Sequence, residues 1–126
     1  MASKPLKHGD LTDKIIGAFY KVYNRLGHGF LEKVYENALV LELRKQGLSV
    51  RQQSPIHVYY ENELIGEYFA DLIVDDKVIV ELKAAEAIDE AHLAQLTNYL
   101  KATRQEVGLL LNFGTEPVFM RRIFDL

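Results

Sequence analysis

The chain contains 126 residues, of which 48% are hydrophobic and 26% are charged. This composition is typical of a globular protein and excludes a disordered, collagen-like or coiled-coil chain. At this length we expect one domain that buries roughly two thirds of the surface of the unfolded chain. The sequence has no cysteine, which excludes disulfides, thiolate catalysis, zinc fingers and iron–sulfur clusters. Any metal ion must therefore be bound by oxygen or imidazole ligands.

Net charge and hydropathy narrow the range of partners. Fifteen Lys and Arg against 18 Asp and Glu give a net charge of −3, so bulk charge does not predict binding to nucleic acid. A carboxylate cluster that awaits a cation would account for negative charge, and a basic patch could lie beside it. No apolar run approaches the roughly 18 residues that cross a bilayer, and the N-terminus lacks the apolar stretch of a signal peptide. We expect a cytoplasmic protein without a membrane partner.

Hydrophobic spacing predicts two helices in the first third of the chain. Residues 1–9 are expected to form a flexible arm. Apolar residues then recur at helical spacing from Asp10 or Thr12 until Gly27 ends the helix. A second helix is predicted from about Leu31 to Gln46. Its predicted apolar face comprises Leu31, Val34, Tyr35, Ala38, Leu39 and Leu43.

From Pro55 onward the hydrophobic period becomes that of β-strands. The predicted strands are IHVYY, ELIGEYFADLIV, VIVEL, VGLLLNF and VFMRRIF. A third helix, from about Ala87 to Thr103, separates the third strand from the fourth. The order α-α-β-β-β-α-β-β predicts an α/β (α+β) fold in which helices flank a mixed central β-sheet. We expect a single domain over residues 10–126.

Two carboxylates and a lysine interrupt the buried strands. Asp71 lies within one strand, and Glu81 and Lys83 lie near the end of the next. Because side chains alternate along a strand, Glu81 and Lys83 project from the same face, about 7 Å apart at Cα. Two carboxylates and an amine suit a hard divalent cation and the activation of a water molecule. The alternative is a solvated strand end or a cross-strand ion pair.

The hairpin at Asp75-Asp76 determines whether the carboxylates meet. A two-residue loop would turn Asp71 away from the face of Glu81. Neither loop position holds the glycine that such tight turns prefer. We therefore predict a three-residue loop or a bulge, which places Asp71 opposite Glu81.

Two further features lie on the predicted helices. Gln95 and Tyr99 are four residues apart on one side of the third helix, where the alternative is a boundary glutamine and a core tyrosine. Before the second helix, Gly29 suits an unusual φ angle, and Glu32 interacts favourably with the helix dipole. Tyr35 follows three residues later and would be an ordinary core residue.

The spacing Gly29-x-x-Glu32-x-x-Tyr35 matches the signature of the GxxExxY protein family, which belongs to the PD-(D/E)xK nuclease superfamily. The resemblance covers about residues 10–126 and implies a restriction-endonuclease-like core. The superfamily motifs fall on Asp71 and on Glu81-Leu82-Lys83. The pair Gln95 and Tyr99 resembles the RecB and phage lambda exonuclease branch. Ala70 stands where the superfamily name has proline.

The resemblance implies a divalent-metal centre. Asp71, Glu81 and the backbone carbonyl of Leu82 would hold one Mg²⁺ or Mn²⁺, and Glu32 would reach it directly or through water. Lys83 would orient and deprotonate the attacking water.

The resemblance also implies that Gln95 and Tyr99 position the water or the scissile phosphate. Further basic residues are candidates for phosphate contacts. They are Lys21, Arg25 and His28 near the turn before the second helix, and Arg121 and Arg122 on the last strand. Successive strand residues point to opposite faces, so at most one of the two last arginines can line a groove.

Three functions follow from these observations. The first is a metal-dependent nuclease that hydrolyses phosphodiester bonds in DNA, with an exonucleolytic mode left open. The second is a nucleic-acid-binding or regulatory module with the same fold and metal site but little turnover. The third is a structural domain in which the polar motifs only stabilise the sheet edge. A homo-oligomer is left open in each case.

Overall fold

The computed structural model describes residues 6–125, which form three helices and five strands. They are α1 (Gly9–Leu26), α2 (Glu32–Lys45), β1 (Val50–Tyr60), β2 (Glu63–Val74), β3 (Val78–Lys83), α3 (Glu90–Thr103), β4 (Val107–Phe113) and β5 (Pro117–Ile123). The predicted order of elements is confirmed. The first strand begins at Val50, earlier than predicted. The prediction missed its first residues because residues 51–53 are polar and do not show the alternation typical of a strand.

The five strands form one mixed sheet in the order β1-β2-β3-β4-β5. β3 and β4 are parallel and are connected through α3, whereas every other neighbouring pair is antiparallel. β4 is buried along its whole length and β3 nearly so, as expected for central strands that are covered on both faces. The predicted mixed sheet with flanking helices is confirmed.

The helices cover the two faces of the sheet. α1 and α2 pack on one face, against the core that contains Leu72, Val80 and Leu109. α3 packs on the other face, against the core that contains Ile79 and Leu110. These two sides of the sheet are called the α1/α2 face and the α3 face.

The predicted apolar face of the second helix is wrong at its N-terminal end. Leu31 and Val34 are exposed, whereas Glu36 and Val40 are buried. The helix begins at Glu32, so Leu31 lies outside its first turn. The rotation of α2 about its axis therefore turns Glu36 towards the sheet.

The expected N-terminal arm lies only partly within the described residues. Residues 1–5 lie outside them, and α1 begins at Gly9. Lys7 forms ion pairs with Glu106 and Asp125. Among the described residues, no helix has the length and hydropathy that a membrane span requires.

Candidate active site

The hairpin between β2 and β3 has a three-residue loop. Val74 pairs with Val78, and the backbone N–H of Lys77 donates a hydrogen bond to the carbonyl of Val74 at 3.0 Å. The register continues to Leu72 opposite Val80, which leaves Asp71 opposite Glu81. The predicted three-residue loop is confirmed, and it brings the two carboxylates together.

Asp71 and Glu81 interact through side chain and backbone. The backbone N–H of Asp71 donates to Glu81 Oε2 at 2.7 Å, and the N–H of Leu82 donates to Asp71 Oδ2 at 2.8 Å. These bonds stand where the ladder between β2 and β3 ends. Ala70 packs on the α3 face and Leu72 packs on the α1/α2 face although they are two residues apart, so the regular alternation of side chains along β2 is interrupted at Asp71.

Burial makes the negative charge of this pair costly. Only 5% of Glu81 is exposed. This burial and the charge of Asp71 raise the pKa of Glu81 to about 8, although the N–H of Asp71 opposes the shift. Burial also raises the pKa of Asp71, against the hydrogen bonds from Leu82 and Gln53. The Lys83 charge favours both carboxylates without cancelling these shifts, so a cation would stabilise the pair.

Lys83 ends β3 on the face of Glu81, and the chain that follows it is fixed to β4. In the parallel register Lys83 lies opposite Asn112, whose side chain is buried. The Asn112 side chain accepts a hydrogen bond from the N–H of Ala85 at 3.0 Å and donates one to the carbonyl of Ala85 at 2.9 Å. This clamp limits the movement of the strand end that carries Lys83.

Glu36 of α2 provides a third carboxylate beside the pair. It is only 5% exposed. Its Oε1 accepts a hydrogen bond from Gln53 Nε2 at 2.9 Å, and the same amide donates to Asp71 Oδ1 at 3.3 Å. The charge of Glu36 contributes to the raised pKa of both Asp71 and Glu81. The side chain of Gln53 therefore connects the helix to the carboxylate pair.

The backbone of Gln53 adopts a conformation that is unusual for a strand. Its φ angle is 49°, in the left-handed region that residues other than glycine rarely adopt. Gln53 lies next to Asp71 across the antiparallel pair, between the paired positions Gln52–Leu72 and Ser54–Ala70. The irregularity thus coincides with the interrupted alternation of side chains along β2 at Asp71.

Sequence reasoning selected Glu32 and missed Glu36. Glu32 is exposed in the first turn of α2, and no hydrogen bond within the described residues joins it to Asp71 or Glu81. The missed signal is a charged residue in an apolar stripe, because Glu36 shares its side of the helix with Val40 and Leu43.

Gly29 and Tyr35 hold the turn that precedes α2. Tyr35 is fully buried and stacks on Phe113 with ring centroids 4.5 Å apart. Its hydroxyl donates to the carbonyl of Gly27 at 2.6 Å and accepts from the N–H of Phe30 at 3.2 Å. Gly29 has a φ of 109°, which strongly favours glycine. The two residues fix the start of α2, and with it the position of Glu36 one residue further on.

Gln95 and Tyr99 lie on α3 at the same face of the sheet as Glu81. Tyr99 is buried, and this burial raises the pKa of its hydroxyl, with further contributions from the charges of Glu81 and Asp71. Gln95 lies one turn earlier and is partly exposed. Tyr99 therefore lies within electrostatic reach of both carboxylates.

The five candidate phosphate contacts lie on other elements than the strands that carry the carboxylate pair. Lys21 forms an ion pair with Glu42 at 3.0 Å between α1 and α2. Within the described residues, none of the five donates a hydrogen bond to Asp71 or Glu81. The remaining candidates occupy three places: Arg25 and His28 are exposed near the end of α1, Arg121 pairs in register with Leu109, and Arg122 pairs with Gly108.

The donor atoms of the site fit a hard cation. Asp71, Glu81 and the carbonyl of Leu82 provide only oxygen, which Mg²⁺ and Mn²⁺ prefer. Among residues 6–125, no three His, Cys, Asp or Glu side chains converge closely enough to enclose an ion by themselves. Mg²⁺ commonly uses one or two carboxylates and keeps several waters or substrate oxygens. The pair with one backbone carbonyl therefore fits such an ion.

The solved structures that resemble this fold include two of low sequence identity. The crystal structure of SSO0001 is 15% identical with a TM-score of 0.58, and the match covers 94% of this chain and 61% of that one. The crystal structure of an alkaline exonuclease (LHK-Exo) from Laribacter hongkongensis is 10% identical with a TM-score of 0.55, and the match covers 95% of this chain and 72% of that one. This chain thus spans less than two thirds of the first structure. At these identities the likeness concerns the fold.

No curated protein shows significant similarity to the chain. A family model does match, namely that of the PD-(D/E)XK nuclease superfamily, over residues 9–123. The match includes all eight helices and strands, which begin at Gly9 and end at Ile123. It agrees with the expected restriction-endonuclease-like fold. The chain therefore belongs to the PD-(D/E)XK nuclease superfamily.

Proposed function

We propose that this protein is a divalent-metal-dependent nuclease that hydrolyses phosphodiester bonds in DNA. The observation that carries the proposal is the buried pair Asp71 and Glu81, with Lys83 on the same strand face as Glu81. The superfamily membership supports a nuclease. A structural domain would have little reason to bury two repelling carboxylates, one of which has a pKa of about 8.

The residues of the site divide the chemistry among them. Asp71, Glu81 and the carbonyl of Leu82 would hold a Mg²⁺ or Mn²⁺. When bound, this ion supplies positive charge that stabilises the phosphate in the transition state. Lys83 would orient the attacking water and, as the free amine, would accept its proton.

The remaining side chains position these groups. Gln53 holds Asp71 and Glu36 in fixed relative positions, and Glu36 adds negative charge that favours cation binding. Gln95 and Tyr99, on α3, orient the scissile phosphate. Glu32 is exposed in the first turn of α2, so it would contact the metal ion through water.

An exonucleolytic mode is the finer part of the proposal. It draws support from the fold shared with the alkaline exonuclease of Laribacter hongkongensis. We also propose that the chain belongs to the GxxExxY family, in the RecB and lambda exonuclease-like branch. The support is the motif Gly29, Glu32 and Tyr35 together with the pair Gln95 and Tyr99.

A digestion assay tests the proposed function. Single-stranded and double-stranded DNA and RNA, labelled at either end, are incubated with the protein and Mg²⁺, Mn²⁺ or a chelator. We expect metal-dependent loss of DNA, with end-labelled mononucleotides released first in the exonucleolytic case. Asp71→Asn is the control that removes a ligand at constant shape. Metal-independent binding without cleavage of any substrate would instead identify a nucleic-acid-binding module.

A further inference from the structure

A groove lies between α3 and the hairpin of β1 and β2. Its volume is about 830 Å³, within the range of ligand-binding clefts. Gln95 and Tyr99 both line it. Tyr99 is also close enough to Glu81 and Asp71 for their charges to act on its hydroxyl. Tyr99 therefore links the groove to the surroundings of the carboxylate pair, whose two members do not line the groove themselves.

The hairpin wall of the groove presents aromatic rings. Tyr68 is 49% exposed and Tyr59 is 61% exposed, and both line the groove. The ring of Tyr68 rests against buried Tyr99, with centroids 5.7 Å apart and planes inclined at 44°. It also lies near Gly66, where an added Cβ would be 3.5 Å from the ring. Tyr68 is therefore a braced ring that still offers surface to a ligand.

The helix wall of the groove is positively charged. Lys101 and Arg104 line it near the end of α3. Among the described residues that line the groove, none is Asp or Glu. The ion pairs found within the described chain involve neither cation. This local charge contrasts with the net charge of −3 for the whole chain.

We propose that this groove binds the unpaired end of a nucleic-acid strand, with bases stacked on Tyr68 and Tyr59 and phosphates beside Lys101 and Arg104. Exposed aromatic rings flanked by cations are the features that bind single strands without sequence preference. Bases inside a duplex already stack on their neighbours, so their faces cannot reach these rings. The inference rests on the proposed nuclease function and assigns its substrate class.

Binding in the absence of divalent metal tests the groove separately from cleavage. The probe is a short fluorescein-labelled thymidine oligonucleotide in chelator, followed by fluorescence anisotropy. Tyr68→Ala should weaken its binding by about tenfold, since a stacked base contributes substantially, whereas Tyr68→Phe should retain it. Binding of a blunt duplex should not change. Tyr60→Ala is the matched control, because Tyr60 is 64% exposed on β1, the other strand of the same hairpin, but does not line the groove.

Salt dependence tests the helix wall. Lys101→Ala and Arg104→Ala should each reduce the slope of log affinity against log salt concentration by about 0.7. Lys45→Ala serves as the control, since Lys45 is also exposed but lies on α2, outside the groove. An unchanged slope in both groove variants would overturn the phosphate contacts.

Photo-crosslinking of the unmodified protein tests the same contacts without a substitution, so it still applies if a variant fails to fold. With a 4-thiothymidine oligonucleotide, crosslinks are expected in the peptides that carry Tyr59 and Tyr68, and crosslinks only elsewhere would overturn the proposal.

The groove and the proposed function can fail separately. DNA cleavage by the wild type combined with normal single-strand binding by Tyr68→Ala would overturn the groove, while the proposed function stands. Strand binding through Tyr68 with no cleavage would reject the proposed function and retain the groove. A dimer that Tyr68→Ala dissociates, without oligonucleotide binding, would identify an interface between two copies instead.

Discussion

Glu81 accepts a hydrogen bond of 2.7 Å from the backbone N–H of Asp71, directly across the hairpin from it. The Asp71 carboxylate in turn accepts a bond of 2.8 Å from the N–H of Leu82. The backbone thus holds two acidic groups together in a buried place, where their charges repel. The ionised pair is therefore more stable with a bound cation than without one.

Divalent metal should stabilise the folded protein. An ion that binds only the native pair shifts unfolding by mass action, by about 2.7 kcal/mol at a hundred times its dissociation constant. For a domain of this size the Tm should rise on the order of 10 °C. Thermal melts with Mg²⁺ or Mn²⁺ against a chelator measure the effect.

The ligand variants provide the control for this prediction. In Asp71→Asn and Glu81→Gln the metal-dependent rise should disappear. Their metal-free Tm should stay level or increase, because the repulsion between the carboxylates is relieved. A lower metal-free Tm in either variant would favour a structural role for the pair.

The metal-free protein should lose stability as the pH rises from about 4.5 to about 8. The pKa of Glu81 is about 8 in the folded protein, against its ordinary value of 4.5. Between these values the unfolded chain has released the proton and the folded protein still binds it, so the free energy of unfolding decreases with pH. Above the upper value the decrease should level off. Urea unfolding in chelator at a series of pH values measures this slope.

Glu81→Gln isolates the contribution of the single carboxyl group. The difference in unfolding free energy between the variant and the wild type should grow in favour of the variant across the same pH range. Asp71, whose pKa is also raised, would leave a smaller residual slope of the same sign. A difference that does not change with pH would contradict the prediction.

The pairing of Asp71 with Glu81 could be predicted because it depends on local sequence. Asp75 and Asp76 close a short hairpin, and both adopt positive φ angles within its three-residue loop. A loop of known length fixes the register of the two strands that it joins. The position of Lys83 could be predicted as well, because it lies two residues after Glu81 on the same face of β3.

The third carboxylate could not be predicted in the same way. Glu32 and Glu36 are one helical turn apart, so the choice between them depends on how α2 is rotated against the sheet. That rotation is set by tertiary contacts, among them the stacking of Tyr35 on Phe113. Gln53 was missed because no local pattern predicts a left-handed glutamine inside a strand.

Removal of the Lys83 amine should abolish cleavage without weakening metal binding. Lys83→Ala should reduce the cleavage rate by at least about a hundredfold, the usual contribution of a general base. Metal affinity should be equal or tighter, because a positive charge has left the neighbourhood of the ion. Lys83→Arg should not restore cleavage, since arginine keeps its proton at working pH.

Lys77→Ala is the matched control for these variants. Lys77 is an exposed lysine in the loop before β3, at the opposite end of the strand from Lys83. Its removal should leave the cleavage rate and metal affinity unchanged. Wild-type cleavage in both Lys83 variants would show that another group accepts the proton.

The two glutamates of α2 should differ in their effect on metal binding. Glu36→Gln removes a buried charge that is joined to Asp71 through Gln53, so metal affinity should fall by about tenfold, an amount typical for groups that support metal ligands. Glu32→Gln removes an exposed charge and should lower affinity by less than about threefold. Isothermal titration with Mn²⁺ at constant ionic strength measures both variants, and the chelator-treated Tm shows whether each still folds. Gln keeps the size of Glu, and the chelator-treated Tm reports the cost of replacing one acceptor oxygen of Glu36 by a donating amide. A larger loss in Glu32→Gln than in Glu36→Gln would show that the first turn of α2, rather than its second, supplies the third carboxylate.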